Sequence, residues 1–329
     1  GVDTQVQFND AGTFAGNSGF TYNKITKAVS LNKLYITDGD STLFSTYKGI
    51  NSNGYNIFIG GGGQNSIGEI GVNNRGSYNV SVGYQALQLN TKGQYNLAMG
   101  YRAMFSNTEG LQNTALGAYA LYSNGLAGGN SAFGYEALYS NTTGGNNLAF
   151  GAGTLRANQN GNGNVGIGAN TLSANISGGN NTGVGFTSMN NVTTGNNNTG
   201  VGFNVLRGID TGSYNIGIGI DAGSFTNYGD DFNNSNNSIY IGYNTQSIDL
   251  NEVNTIVIGH SAVGNGSNTI TFGNTSIVRT YLQGYINISS KTPASASAPG
   301  TAGDVCFDNN YIYRCIAANT WKRSPLTTW

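Results

Sequence analysis

Apolar and polar positions along this chain alternate in short bursts rather than in helical stripes. A typical burst is Asn79-Val80-Ser81-Val82-Gly83: an amide, an apolar residue, a small residue, an apolar residue and a glycine. It returns every 17 residues, closing at Gly83, Gly100, Gly117, Gly134, Gly151, Gly168, Gly185, Gly202 and Gly219. Four positions earlier stand Asn79, Asn96, Asn113, Asn130, Asn147, Asn164, Asn181, Asn198 and Asn215. The residue before each glycine is always apolar, as at Val82, Met99, Leu116, Phe133 and Phe150, and the one before that is always Ser, Ala or Gly. Four positions after the glycine comes Leu or Met, from Leu87 to Leu206. Ten after it there is usually another glycine, such as Gly93, Gly110 or Gly144.

Period-two alternation over four residues reads as a short strand. A second short strand is expected at Tyr84 to Leu87 and its equivalents, with turns in the Gly- and Asn-rich remainder, where positive φ costs little. Helical repeats need about 33–47 residues, and Gly and Asn are poor helix formers. Each period is therefore predicted to be one coil of an all-β, parallel solenoid. A coil offers about two large apolar side chains, worth roughly 1.5–3 kcal/mol each when buried. Ordering its backbone costs on the order of 1–2 kcal/mol per residue, so an isolated coil cannot stand. Stacking supplies backbone ladders and room for asparagine ladders. Because so thin a coil has little interior, we expect a parallel homotrimer that buries Met99, Leu116, Phe133 and Phe150. The spacing alone is equally compatible with a monomeric solenoid.

One looser burst precedes the regular series, at Asn56 to Gly60, and three follow it, closing at Gly242, Gly259 and Gly273. That makes about 13 coils. The stretches Gly61 to Gly76 and Ile220 to Asn237 enter as insertions at unchanged phase and are expected to protrude.

Composition narrows the function. Of 329 residues, 52 are Gly and 50 Asn, and only 9% are charged. Fourteen Lys+Arg balance 15 Asp+Glu, which excludes binding driven by phosphate neutralisation, so no nucleic-acid partner is expected. No apolar run approaches the ~20 residues of a membrane span. One His and two Cys argue against a His/Cys metal site, and no cofactor is expected. The start, Gly1-Val2-Asp3-Thr4, is neither a signal peptide nor an initiator Met, as in a trimmed or processed chain.

The repeat Gly134 to Gly151 (Gly-Tyr-Glu-Ala-Leu-Tyr-Ser-Asn-Thr-Thr-Gly-Gly-Asn-Asn-Leu-Ala-Phe-Gly) resembles the head repeats of YadA-like trimeric adhesins. It is closer still to the longer version in bacteriophage tail fibres. The resemblance covers about Gly54 to Gly273. Thr4 to Asp10 with Gly19 to Asn23 also resembles phage fibre sequence, and Pro299 to Cys306 with Asn319 to Arg323 resembles a terminal fibre module. No catalytic set is read among the residues, so no enzymatic activity is expected. The resemblance implies a left-handed parallel β-roll of three chains and a virion location. It implies a rigid rod that presents a host-binding tip. The expected partners are further copies of the chain, other tail or virion proteins, and a host glycan or surface protein. With neither a heptad stalk nor a membrane anchor in the sequence, a bacterial surface adhesin is the second reading. A glycan-depolymerising tailspike is the third.

The expected organisation is an N-terminal β module at 1–52, the roll at 53–275, a neck strand and linker at 276–298, and a small β module at 299–329. Candidate chemistry is sparse. Tyr228, Asp230, Asp231 and Phe232 form a candidate receptor-contact loop, although a solvated loop is the plainer reading of the two aspartates and a calcium site is another. The other close acidic pair is Asp38 and Asp40. Gly60 to Gly63 lacks the Lys-Ser/Thr of a phosphate loop. His260 reads as a solvated turn residue, without the partners of a catalytic set. Tyr84, Tyr101, Tyr119, Tyr122, Tyr135 and Tyr139 fit packing between coils, or alternatively an exposed sugar-binding ladder. Cys306 and Cys315, on a hairpin signalled at Asp308-Asn309-Asn310, are expected to be free, mostly buried thiols packing beside Phe307 and Trp321; the alternative is a disulfide staple in a module with a small core.

Overall fold

The computed structural model describes the backbone of residues 5–10, 13–23, 28–31, 36–37 and 42–47, and backbone with side chains of 56–60, 76–229, 235–283 and 291–326. Among these there is no helix. Contacts divide the chain into two units, Gly1–Ser276 and Ile277–Trp329.

The first unit is a parallel β-solenoid. Thirteen short strands, from Asn56–Ile59 to Ile270–Phe272, stack in chain order into one ladder. Their register is the sequence period: Val80 pairs Leu97, Leu97 pairs Thr114, and Ser131 pairs Leu148. Antiparallel to the first strand lies Thr42–Tyr47, so the sheet continues into the segment read as a separate module. Upstream, Gln5–Asp10, Thr13–Asn23 and Ala28–Leu31 form a three-stranded antiparallel sheet.

The second strand expected at Tyr84 to Leu87 is a turn instead. Gln85 and Leu87 both adopt left-handed φ, at 56° and 54°. The same holds for Leu at 121, 138, 155, 172 and 206 and Met at 104 and 189, with φ between 48° and 54°. Left-handed backbone costs an L-residue roughly 1–2 kcal/mol. It is tolerated because it swings each side chain inward, where all eight are fully buried. Burial of a Leu returns roughly 1.5–3 kcal/mol. The turns also bond to the next coil, as Leu87 N–H does to Ala103 O at 2.9 Å.

Within each strand the small residue faces the interior. Ala98, Ala115, Ala132 and Ala149 are fully buried, while Met99 is 40% and Phe150 56% exposed. The large apolar residues expected to be buried therefore point outward in the single chain. In the regular coils Leu87 and its equivalents already fill a thin coil, which leaves space only for Ser, Ala or Gly opposite them.

The second unit holds a three-stranded antiparallel sheet of Val305–Phe307, Tyr311–Ala317 and Thr320–Pro325. The neck strand expected from Ile277 is not a strand over 277–283, and 284–290 lie outside the described residues. Ile277, Val278, Tyr281 and Leu282 are exposed there. Without a neighbouring strand to bond, an alternating sequence has no ladder to join.

Candidate functional site

The regular coils are held by two asparagine columns. In the first, each backbone N–H donates to the Oδ1 of the previous coil, as Asn96 does to Asn79 at 3.0 Å and Asn113 to Asn96 at 3.0 Å. Each side-chain amide also donates to a carbonyl 14 residues on, as Asn96 Nδ2 does to Gly110 O at 2.9 Å. The second column, Asn90, Asn107, Asn124, Asn141, Asn158 and Asn175, joins side chain to side chain. Asn107 Nδ2 donates to Asn90 Oδ1 at 2.8 Å and Asn124 Nδ2 to Asn107 Oδ1 at 2.7 Å. The sequence reading missed this column. Its signal was present: an Asn seven residues after the glycine in six successive periods. Where Val192 and Ile209 take over the position, Asn175 Oδ1 is left buried without a donor.

The glycines at the strand ends are required by geometry. Gly134 has φ +140°, and a Cβ there would lie 2.6 Å from Gly151 C and O. Successive backbones approach too closely for any side chain at this column.

The tyrosines form a packed strip along the turns. Tyr84 stacks on Tyr101 at 5.8 Å, Phe105 on Tyr122 at 5.3 Å and Tyr122 on Tyr139 at 5.1 Å. Ala118 interrupts the row of Tyr84, Tyr101 and Tyr135, and Tyr119 fills in, 5.2 Å from Tyr101 and 6.2 Å from Tyr135, nearly perpendicular to both. Each ring has at least one ring neighbour on an adjacent coil, as packing between coils requires, while Tyr84 and Tyr135 stay more than half exposed. This geometry favours packing between coils over the sugar ladder. At the strip's margin Arg156 Nε meets Glu136 Oε2 at 2.5 Å. Burial pushes the Glu136 carboxyl up, but hydrogen bonds from Arg156 and Tyr135 outweigh it and hold the group below its ordinary range.

Of the candidate receptor-contact residues, Tyr228 is 73% exposed, beside a turn closed by Gly229 N–H to Thr226 O at 3.0 Å. Asp230, Asp231 and Phe232 lie outside the described residues, as do Asp38, Asp40, Gly61 to Gly63 and most of the first insertion. His260 stacks on Tyr243 at 5.0 Å, and its carbonyl accepts from Asn274 Nδ2 at 2.8 Å, which keeps it in the turn. Among the described residues no His, Cys, Asp and Glu gather into a metal cluster, and no helix is long and apolar enough to cross a membrane.

Coil interiors change near the end of the solenoid. Tyr240 occupies the small-residue position, paired with Gly217 and Val257. Glu252, 3% exposed, accepts from Ile248 and Asp249 N–H at 3.1 and 3.2 Å. Burial raises its carboxyl above the usual carboxylate range.

In the second unit Cys306 faces Tyr313 and Cys315 faces Trp321. Both thiols are free, and Cys315 is buried. The hairpin turns at Asn309-Asn310, with Asp308 Oδ1 accepting from Asn310 N–H at 2.8 Å and Tyr311 N–H at 2.9 Å. Its other oxygen accepts from Tyr313 OH at 2.7 Å and Thr292 Oγ1 at 2.9 Å. Together, Tyr313 foremost, these donors hold the carboxyl down at about 2.

No family model matches the chain, and no solved structure does. Two phage proteins share a short segment with it. The chain is 49% identical over 37 residues to the capsule K30/K69-specific depolymerase 1 of Klebsiella phage K5-2, a match covering 11% of this chain and 5% of that protein. It is 39% identical over 44 residues to the capsule K30/K69-specific depolymerase of Klebsiella phage K64-1, covering 13% and 6%. These matches and the solenoid fit a phage tail protein. They also overturn the expectation of no enzymatic activity, because both relatives are named as depolymerases, which are enzymes. The expectation rested on the lack of a Ser-His-Asp set and of convincing close acidic pairs in the sequence, whereas the carboxylates of a glycosidase need only be neighbours in the fold. The matched segments span about a twentieth of each relative's length.

Proposed function

We propose that this chain is a shaft segment of a homotrimeric phage tail protein, a left-handed roll of the YadA-like kind. It holds an attachment tip toward the polysaccharide capsule of a bacterial host. The observation that carries this reading is the outward row of the ladder. Ile59, Val82, Met99, Leu116, Phe133, Phe150, Ile167, Val184, Val201, Ile218, Ile241, Ile258 and Phe272 occupy equivalent positions on thirteen successive strands. At a strand spacing near 4.8 Å the row runs roughly 60 Å without a polar residue. Monomers rarely expose so long an apolar strip. Two further copies, set parallel, would bring three such rows to one axis, and the exposed Ile277, Val278, Tyr281 and Leu282 are available for the same kind of cover.

Such a rod suits attachment. It is stiff and nearly uncharged, and three tips at one site turn weak contacts into avidity. The capsule as target is supported by the names of the two relatives.

Immunogold labelling of the source particle with antibody against this chain tests the location. The expected label decorates tail appendages, and soluble chain should block adsorption to capsulated cells. Label on the head, or no label on the particle, contradicts the reading. Reducing ends released from capsule by the same protein would add cleavage to attachment.

A further inference from the structure

The second unit contains a built space that neither the solenoid nor the attachment reading uses. A strap of residues 291–298 crosses one face of its three-stranded sheet. It is pinned at one end by Lys291 N–H to Phe307 O at 2.9 Å and Thr292 Oγ1 to Asp308 Oδ2 at 2.9 Å. At the other end Trp321 N–H donates to Ala296 O at 2.9 Å and Trp321 Nε1 to Ala298 O at 3.0 Å. Between the pins run Pro293, Ala294 and Ser295, too small to fill the space above the large side chains of the sheet. A cavity of about 440 Å³ opens on one side and one of about 560 Å³ on the other.

Their linings share Thr292, Pro293, Ala294 and Trp321. The indole is fixed as well as central: a Cβ at Gly300 would lie 2.5 Å from its ring, so only glycine lets the chain pass. Tyr313 and Arg323, paired across the sheet, line the smaller cavity. Arg323 is held over the Tyr311 ring at 4.4 Å. Lys291 and Asp304 line the larger one.

An immobilised aromatic surface, hydroxyl groups and charged hydrogen-bonding groups around an open dish are what a polyhydroxylated ring requires. Its C–H faces pack on the aromatic, and its hydroxyls meet the polar groups. Lys291 and Arg323 outnumber Asp304, and a guanidinium pairs a carboxylate through two parallel bonds. We propose that the dish around Trp321 is a saccharide site that takes a carboxylate-bearing sugar of a surface polysaccharide. The proposal rests on the attachment reading for its source of sugar, and locates the contact in the C-terminal module rather than on the tyrosine strip.

The test uses the full chain carrying Trp329→Phe, which leaves Trp321 as the sole tryptophan. The probes are a glucuronate-containing tetrasaccharide and its carboxyl-reduced form. The acidic probe should change Trp321 fluorescence saturably, and the reduced form should bind at least fivefold more weakly. Lys291→Ala with Arg323→Ala should weaken binding at least tenfold at an unchanged melting temperature. Silent Trp321 fluorescence overturns the site, as does equal affinity of the double variant. If the chain still adsorbs to capsulated cells in that case, the attachment reading stands and only the place of contact is wrong. Equal binding of both probes overturns the carboxylate preference and with it the proposal as stated.

Discussion

The regular coils from Val80 to Gly219 and the last coils from Ser238 to Gly273 share one ladder but not one interior. The regular coils hold two asparagine columns and an alanine or glycine face beneath a buried Leu or Met. In the last coils Ser238 and Thr255 replace the first asparagine column: Ser238 N–H donates to Asn215 Oδ1 at 3.1 Å and Thr255 N–H to Ser238 Oγ at 3.2 Å. Tyr240 fills the small-residue position, and Glu252 enters where earlier coils carry glycine, its carbonyl accepting from Ser235 Oγ at 3.2 Å. The glycine column and the outward apolar row run unbroken through both regions. The backbone pinch at glycine therefore sets the stack, while the interior can be refilled in more than one chemistry.

The sharpest way to break this comparison is at the pinch. Gly134→Ala forces a Cβ against the next coil's backbone at a φ that L-residues rarely adopt. We expect a loss of roughly 3 kcal/mol or more, read from the denaturation midpoint. Gly229, with φ +84° and nothing within 4 Å, supplies the control: its change to Ala should cost about 1 kcal/mol. Equal effects at both sites would remove the pinch from the account.

Next in size is the asparagine interior. Asn124→Leu deprives Asn107 Oδ1 and Ala127 O of a donor and Asn141 Nδ2 of an acceptor. An orphaned buried group costs about 1–3 kcal/mol. Ala127 O keeps Asn113 Nδ2 and Asn141 Nδ2 keeps Gly144 O, so Asn107 Oδ1 is the group left without a partner. At the equivalent position of a coil outside the column, Val192→Ala should cost less, about 1–2 kcal/mol, because only apolar contact is lost. A larger loss at Val192 would show that packing, not the amide column, carries the regular coils.

The two regions should also answer pH differently. The folded-state pKa of Glu252 is raised, so its contribution is present at low pH and is lost as pH rises through that value. The last coils should therefore loosen, by hydrogen exchange corrected for intrinsic rates, between acid and neutral pH, and Glu252→Gln should remove the trend. The regular coils bury no raised carboxylate among their described residues; Glu136 there is held below its ordinary range, so its support fades as pH falls. Asp308 in the second unit also has the sign opposite to Glu252: held down at about 2, it supports its hairpin above the ordinary carboxylate range, and that support fades as pH falls toward 2. Matching slopes in all three places would contradict these assignments.

The smallest effect concerns the tyrosine strip. Tyr84→Ala removes one stacked pair and should cost about 0.5–1.5 kcal/mol. Binding of soluble chain to capsulated cells should not change.

Much of this fold was legible in the sequence, because a solenoid writes its register into its period. The strand positions, the phase kept across the insertions and the glycine column all followed from spacing. The turn at Tyr84 to Leu87 did not, because a leucine in left-handed backbone looks like any strand leucine until the coil's width is known. The protrusion expected of Ile220 to Asn237 did not hold for Ala222, Ser224, Thr226 and Ser235, which are buried in the coil. Asn90 and its column were visible at period 17 but were absorbed into what read as turn composition. The inward and outward sense of Ala98 and Met99 depended on how much volume Leu87 and its equivalents leave, a question of packing rather than pattern. Function was far less legible. The dish around Trp321 is assembled from a linker, two strands and one glycine, and no repeat announces it.

Two further copies are predicted to cover the outward apolar row. Sedimentation equilibrium of the full chain at micromolar concentration measures this directly. A trimer of three 34.3 kDa chains is predicted, dissociating and losing structure together when Phe133 and Phe150 are changed to Lys. A folded 34.3 kDa monomer, stable on dilution with the row exposed, would contradict it.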